Sequence, residues 1–279
     1  MNRYSRKYTM LALLVLLALM LSACLGDSST PEPAEIQEEV QAQVAALELA
    51  GTAWQLDYFG GESDNVPAID GARATVNFLV ERYGGGGGCN FFLGVYSTDG
   101  SAISMFTPNQ TRLVCEEPEG VMEQDATFVS SLLNTVEYGM NGEQLVLYTT
   151  GQQPLATLSP AGDVAFEGTT WSLRLMKSGE NVLPLLPGTT VTAQFEGEQV
   201  SGSSGCNTYN GGATIDGNSM TISENMITTM MACADPEGIM EQEQEYLTVL
   251  ATVAGYDQVG GMLLLLDAAG EPVLLFAGE

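Results

Sequence analysis

The tripeptide Gly-Cys-Asn occurs twice in this chain, as Gly88-Cys89-Asn90 and Gly205-Cys206-Asn207, and the two copies lie 117 residues apart. Flanking segments repeat at the same spacing, which becomes 118 after one inserted residue in the second copy. A period this long indicates two tandem domains rather than a solenoid of short repeats. The matching pairs include Gly51–Leu56 with Gly168–Leu173, Thr75–Phe78 with Thr192–Phe195, Thr111–Cys115 with Thr229–Cys233, and Pro118–Gln124 with Pro236–Gln242.

Each copy has mainly the pattern of strands. Thr75–Val80 alternates polar and apolar residues, as a half-buried strand does, and we expect Gly84–Gly88 to turn the chain sharply through positive φ. A hairpin is predicted around Gly151. One amphipathic helix is predicted before it, because apolar residues recur at helical spacing at Met122, Ala126, Val129, Leu133 and Val136.

This order of elements predicts the fold class. One antiparallel sheet curled around a core, with the helix closing one end, accommodates several strands, one helix and two more strands. The prediction is therefore a mainly β chain of two tandem small antiparallel β-barrels, after a signal peptide and a flexible tether. We place the two domains at residues 51–160 and 166–279.

The first 23 residues have the organisation of a signal peptide. Basic residues precede an apolar run, Met10–Leu21, that is short for a membrane span. Leu21-Ser22-Ala23-Cys24 resembles a bacterial lipobox, which implies cleavage before Cys24 and lipidation of its sulfur. Acyl chains there would anchor the chain stably to a membrane. A plain signal peptide and an uncleaved anchor helix are the alternatives.

Residues 24–50 are interpreted as the lipidated cysteine and a tether. The first part is polar and interrupted by prolines, and Ala34–Leu49 has apolar residues at helical spacing. This helix either floats as a stalk, which we favour, or docks on the first domain. The predicted location is the cell envelope, outside the cytoplasm, on the outer face of the membrane or in the periplasm.

Charge and composition exclude some functions. The net charge is −27, and after Cys24 only five basic residues stand against 35 acidic ones. Such a charge repels phosphate backbones, so no nucleic-acid partner is expected. The chain contains no histidine, which removes the commonest general base and the commonest transition-metal ligand. No cofactor and no metal site are predicted.

Four cysteines remain after Cys24, two in each copy. In an oxidising compartment they are expected to form disulfides, and three connectivities are possible. The repeat favours one bond within each copy, Cys89–Cys115 and Cys206–Cys233. A four-thiolate metal site and a nucleophilic cysteine are the alternatives, but there is no CxxC spacing and no histidine to serve either.

These residues resemble the META domain, also called the HslJ-like family. The resemblance implies a small, loosely lipocalin-like β-barrel with a packed helix, in proteins that are often envelope lipoproteins and for which no enzymatic activity is established. The second copy departs from the pattern at Met230, which replaces an arginine, and at Ala213, which replaces a tyrosine. The motifs are Trp54-Gln55-Leu56, Gly88-Cys89-Asn90, Thr111–Cys115 and Met122-Glu123, with Trp171-Ser172-Leu173, Gly205-Cys206-Asn207, Thr229–Cys233 and Met240-Glu241 in the second copy.

Some residues within the motifs have a structural and a functional interpretation. Asn90 and Asn207 are expected to brace the bend after each cysteine with their side-chain amides. Trp54 and Trp171 are expected in the core rather than as ligand platforms. Arg112 is expected to pair with an internal carboxylate, and the alternative is contact with a partner at the barrel mouth.

The leading functional hypothesis is a non-enzymatic envelope lipoprotein that presents two disulfide-braced modules for binding or for envelope maintenance under stress. Its partners would be the membrane, through Cys24, and an unidentified envelope protein or small ligand. One alternative is a carrier that holds a small apolar ligand inside a barrel. The other is an enzyme that relies on carboxylates.

Overall fold

The computed structural model describes residues 49–61, 63, 65–179, 181–183 and 185–278. The predicted signal peptide, Cys24 and the predicted tether up to residue 48 lie outside these ranges. Within the described part of the chain, no helix combines the length and apolar composition that a membrane crossing requires.

The first copy forms a closed antiparallel barrel, which confirms the predicted fold class. Eight strands follow one another in the order β1-β3-β4-β5-β6-β8-β9-β10, and β10 pairs back with β1. The elements are β1 (Thr52–Phe59), β2 (Val66–Pro67), β3 (Thr75–Phe78), β4 (Arg82–Gly86), β5 (Phe91–Asp99), β6 (Ala102–Met105), β7 (Asn109–Gln110), α1 (Val121–Asn134), β8 (Glu137–Asn141), β9 (Gln144–Tyr148) and β10 (Pro154–Pro160).

The second copy repeats this topology and closes through the pairing of its first and last long strands. The inserted residue lies between the strands β16 and β17, because the strands before this loop match at 117 and those after it at 118. The elements are β11 (Trp171–Ser178), β12 (Asn181–Leu183), β13 (Thr192–Glu196), β14 (Gln199–Ser203), β15 (Thr208–Asp216), β16 (Ser219–Ile222), β17 (Ile227–Thr228), α2 (Ile239–Leu250), β18 (Gly255–Val259), β19 (Met262–Leu266) and β20 (Pro272–Gly278).

The predicted helix exists, but the prediction of its buried face is wrong. Met122, Ala126 and Val136 are exposed, and Val129 and Leu133 are only half-buried. The prediction counted only apolar side chains, whereas the inner face includes polar residues that hydrogen-bond to loops. The buried residues of α1 are Val121, Gln124, Asp125, Phe128, Ser131 and Leu132, and α2 buries their counterparts.

The glycine run before Cys89 was also predicted incorrectly. Residues up to Gly86 belong to strand β4, and within Gly84–Gly88 only Gly88 has a positive φ, of 119°. Glycine is required in the strand for space, because a Cβ at Gly85 would overlap the carbonyl oxygen of Thr75 on β3. Gly202 meets Thr192 in the same way in the second copy.

Large side chains fill the interior of both barrels. Trp171 is fully buried and Trp54 nearly so, and each belongs to the core of its own copy. An apolar ligand held inside a barrel would have to displace such rings, so the interior offers no support for the carrier hypothesis. The largest fully buried side chains include Tyr83, Phe78, Phe92 and Phe128 in the first copy and Trp171, Tyr246, Phe195 and Phe276 in the second.

The two barrels also pack against each other through their outer surfaces. Leu79 and Leu93 of the first barrel join an apolar cluster with Met262, Leu264 and Leu275 of the second. Strand β19 therefore has apolar residues on both faces, one facing its own core and one facing the neighbouring barrel. All described residues belong to one compact unit.

The edges of the barrels lie slightly outside the predicted boundaries. Leu49, assigned to the tether, is 3% exposed and packs in the first core. Val164, between the two predicted domains, packs against the second core together with Phe166.

Candidate functional site

A buried carboxylate holds the Gly-Cys-Asn segment of the first barrel. Asp125 on α1 accepts hydrogen bonds from the backbone N–H of Asn90 at 2.9 Å and from its side-chain Nδ2 at 3.1 Å. The side-chain oxygen of Asn90 accepts from Thr111 Oγ1 at 2.8 Å and from the N–H of Leu113 at 2.7 Å. The Asn90 side chain thus connects the strand bend, the helix and the following loop.

The second barrel repeats this network with a longer acid. Glu243 accepts from the backbone N–H of Asn207 at 2.8 Å and from its Nδ2 at 2.9 Å. Asn207 Oδ1 accepts from Thr229 Oγ1 at 2.7 Å and from the N–H of Met231 at 2.8 Å. In both barrels the asparagine braces the bend, as its structural interpretation expects.

The residue that precedes the Gly-Cys-Asn tripeptide is larger in the barrel that has the longer acid. At Gly87 a Cβ would lie 2.7 Å from the Cα of Asp125, so the first barrel has no room for a side chain there. The equivalent residue in the second barrel is Ser204, whose hydroxyl donates to Glu243 at 2.7 Å. The longer side chain of Glu243 leaves space for this hydroxyl.

Disulfides close each network. Cys89 is bonded to Cys115 and Cys206 to Cys233, with sequence separations of 26 and 27. Each bond joins the strand bend to the loop that its asparagine also binds. Since the two acids are 6% and 8% exposed and surrounded by donors, these networks hold structure and present no reactive group to solvent.

Two clefts open where the barrels meet, and both are lined by β5 and β11. The first, of about 280 Å³, is lined by Arg82, Lys177 and Glu271 together with apolar residues. Arg82 lies 3.6 Å from the Glu271 carboxylate. The second, of about 580 Å³, is lined by Arg112 and Arg174, and its other lining residues in the described part of the chain are neutral. Four of the five basic residues that follow Cys24 therefore line these two clefts.

A β-bulge directs Arg174 into the second cleft. The pairing of β11 with β20 skips one residue between Leu173 and Leu175, and a bulge re-aims the side chain that it leaves over. The guanidinium carbon of Arg174 lies 4.6 Å from the centroid of the Phe91 ring, on the first barrel. This cation–π contact holds the guanidinium at the junction of the barrels.

Arg112 reaches the same cleft from the first barrel. The prediction of an internal carboxylate partner is wrong, because among the described residues Arg112 makes no hydrogen bond or ion pair. It is exposed on the loop that carries Cys115. Its counterpart Met230 is 97% exposed.

No group of three potential metal ligands occurs among the described residues. The sequence analysis missed the acids at Asp125 and Glu243, although both stand directly after the repeated Met-Glu-Gln motif. It also missed Arg174, because a bulge depends on strand pairing and leaves no local signature.

The sequence of this chain matches the model of a known protein family in both halves. A family model for the META domain matches residues 47–162 and again residues 164–279. The chain therefore belongs to the META domain family, and it contains two tandem copies of the domain. The search of curated proteins found no significant match.

Solved structures similar to this chain share little sequence with it. An NMR structure of a protein from Burkholderia xenovorans is 19% identical, and the match covers 50% of this chain and 96% of that one at a TM-score of 0.37. A crystal structure of a DUF4847 family protein from Bacteroides vulgatus is 15% identical, covering 41% and 96% at a TM-score of 0.31.

Proposed function

We propose that this protein is an exported lipoprotein, anchored in the cell envelope through Cys24, whose two META domains act together by binding and not by catalysis. Binding would take place at the junction of the barrels, in a role that maintains the envelope. The lipobox-like segment Leu21–Cys24 supports the anchor, and the paired cysteines fit the oxidising compartment in which it would work.

The observation that carries this proposal is the distribution of positive charge. In a chain with 35 acidic residues, four of the five basic residues after Cys24 line the two clefts between the barrels. Concave sites with a few convergent polar groups on an apolar lining are typical of binding sites. The barrel interiors are filled with side chains, so the junction is the better candidate.

A binding role also fits the chemistry of the described residues. The buried acids Asp125 and Glu243 are surrounded by hydrogen-bond donors. The chain has no histidine to act as a general base. Among the described residues of the two clefts, no hydroxyl or amine is hydrogen-bonded to a carboxylate base, the arrangement typical of covalent catalysis.

The anchor is tested by cell fractionation. The wild-type chain should be found in the membrane fraction and incorporate labelled fatty acid, whereas a Cys24→Ser variant should incorporate none. A Cys89→Ser/Cys115→Ser variant, which keeps Cys24, is the matched control for loss of thiols and should still be labelled. Equal labelling of wild type and Cys24→Ser would overturn the anchor.

Binding at the junction is tested by site-specific photo-crosslinking in intact cells. A photoreactive residue at Val95, which is exposed and lines the first cleft, should form adducts with a partner. The control is Val66, which is similarly exposed on β2 and lines neither cleft. Adducts formed equally from both positions, or from neither, would contradict a binding site at the junction.

A further inference from the structure

Resting on the proposed function, we propose that the cleft containing Arg112 and Arg174 is an anion site that takes a phosphate or carboxylate group carried on an apolar body. The site is built jointly by the two META domains, since Arg112 belongs to the first and Arg174 to the second.

The cleft has the size and lining of a site for a small amphiphile. Its volume of about 580 Å³ lies within the range of ligand pockets. Most of its other described lining residues are apolar. These side chains include Phe91, Leu113, Leu173, Leu185, Leu186 and Val191.

Charge favours an anion here despite the acidic surface of the chain. At ordinary ionic strength, salt largely screens charges that lie more than about 10 Å apart. The charges that line the cleft therefore act on a ligand more strongly than the distant acidic residues do. None of the described residues that line this cleft is acidic, whereas in the other cleft Glu271 lies near Arg82. Two guanidinium groups match the planar, bidentate geometry of carboxylate and phosphate oxygens.

Each of the two arginines occurs in only one copy of the domain, the copy in which that position lines the cleft. The same bulge exists in the first barrel at Asp57, whose carboxylate accepts hydrogen bonds from Gln144 and Ser159. Their counterparts in the second barrel are Met262 and Ala277, which offer no side-chain donor. The bulge residue of the second barrel is thus a cation, and its guanidinium lies over the Phe91 ring of the first barrel.

At the loop position it is the first barrel, and not the second, that carries the arginine. The first barrel places Arg112 at the cleft, and the equivalent Met230 in the second barrel lines neither of the two clefts. Each domain therefore contributes a cation at the position where it faces the cleft, while the copy that faces elsewhere carries a neutral or acidic residue. A shared anion in the cleft accounts for both choices.

The test is calorimetric titration of the full chain carrying Cys24→Ser, with octyl phosphate as the probe. We expect saturable binding at one site. The affinity should fall at least tenfold in Arg112→Met, which introduces the methionine found at the equivalent position, Met230, of the second barrel. The variant should fold normally, because Arg112 is exposed and makes no hydrogen bond or ion pair among the described residues. The matched control Arg73→Met removes an exposed cation outside both clefts and should bind as the wild type does.

A second variant and a second probe complete the design. Arg174→Ala should weaken binding at least tenfold while circular dichroism shows an unchanged fold, and octanol, which lacks the charge, should bind at least tenfold more weakly than octyl phosphate. Equal binding by wild type and Arg112→Met, or equal binding of octanol, would overturn the proposal.

The source of the anion is distinguished with vesicles. If the natural ligand is a lipid headgroup, the chain should bind phosphatidylglycerol vesicles, but not phosphatidylcholine vesicles, in a manner that depends on Arg112. If it is a free amphiphile, octyl phosphate should bind and neither vesicle should. Absence of binding to both anionic probes would refute the anion site. A negative result in the fatty-acid labelling of Cys24 would refute only the proposed location.

Discussion

The two barrels fix their Gly-Cys-Asn segments in the same way but differ in charge at equivalent positions on their surfaces. Asn90 and Asn207 have the same set of partners. In contrast, the bulge carries Asp57 in one barrel and Arg174 in the other. The buried network is common to the two barrels, and the half-buried bulge position is where their charges differ.

The largest expected effect is loss of a disulfide, which should be equal in the two barrels. The variants Cys89→Ala/Cys115→Ala and Cys206→Ala/Cys233→Ala open loops of 26 and 27 residues. In the chain-entropy model each should lose about 3–4 kcal/mol of unfolding free energy. Chemical denaturation measures this, and a large difference between the variants would break the equivalence of the barrels.

Removal of either asparagine should be nearly as costly. Asn90→Ala and Asn207→Ala each remove the side-chain amide donor of a buried carboxylate, which keeps only the backbone N–H from that residue. We expect a loss of about 3 kcal/mol in each case, because a buried charge is left poorly compensated. A cost below that of an ordinary surface substitution would show that the network is not structural.

The residue before the tripeptide should separate the two barrels. Gly87→Ala places a methyl group against the backbone of α1 and should cost about 2 kcal/mol through overpacking. Ser204→Ala only removes one donor to Glu243 and should cost about 1 kcal/mol. The comparison is made by denaturation of the two variants, and equal costs would mean that the first barrel does have room for a side chain at position 87.

Tyrosine ionisation should also distinguish the cores. Tyr209 and Tyr246 share a hydrogen bond at 2.7 Å, where the first barrel has Phe92 and Phe128. Burial raises the pKa of Tyr246 well above its usual value of 10.0. The neutral form is therefore favoured in the folded state, so its contribution to stability is complete below pH 10 and declines as pH rises further.

This dependence is tested by the variant Tyr246→Phe, which takes the residue of the first barrel. Between pH 8 and pH 11, the unfolding free energy of the wild type should fall by about 1.4 kcal/mol more than that of the variant. Burial also raises the pKa of Tyr83 to about 12, so part of the alkaline loss should remain in the variant. An identical pH dependence of the two proteins would contradict the burial of Tyr246.

The smallest effect on stability is expected at the loop arginine. Arg112→Met and the reciprocal Met230→Arg should each change the unfolding free energy by less than about 0.5 kcal/mol, because both side chains are exposed. Thermal denaturation measures this. A substantial loss in Arg112→Met alone would mean that the arginine supports the fold and is not available to a ligand.

The repeat predicted more of the fold than any single segment did. Because both copies must satisfy the same pattern, the paired cysteines, the strand-rich order and the helix near Val121 could be located from spacing alone. The buried face of that helix could not. Asp125 and Gln124 look solvent-facing by composition, and only their hydrogen bonds to distant segments, such as Gln124 to Ala72, make burial favourable.

The amino-acid sequence by itself determined that there are two closed domains, each with its own disulfide, because periodicity and covalent chemistry are local properties that a repeat makes visible. The tertiary structure decided which residues meet between the domains. Arg112 and Arg174 lie 62 positions apart in the chain and belong to different repeats. Their shared cleft arises from the packing of the outer apolar face of β19 against the first barrel and from a bulge in β11, and both depend on contacts between distant strands.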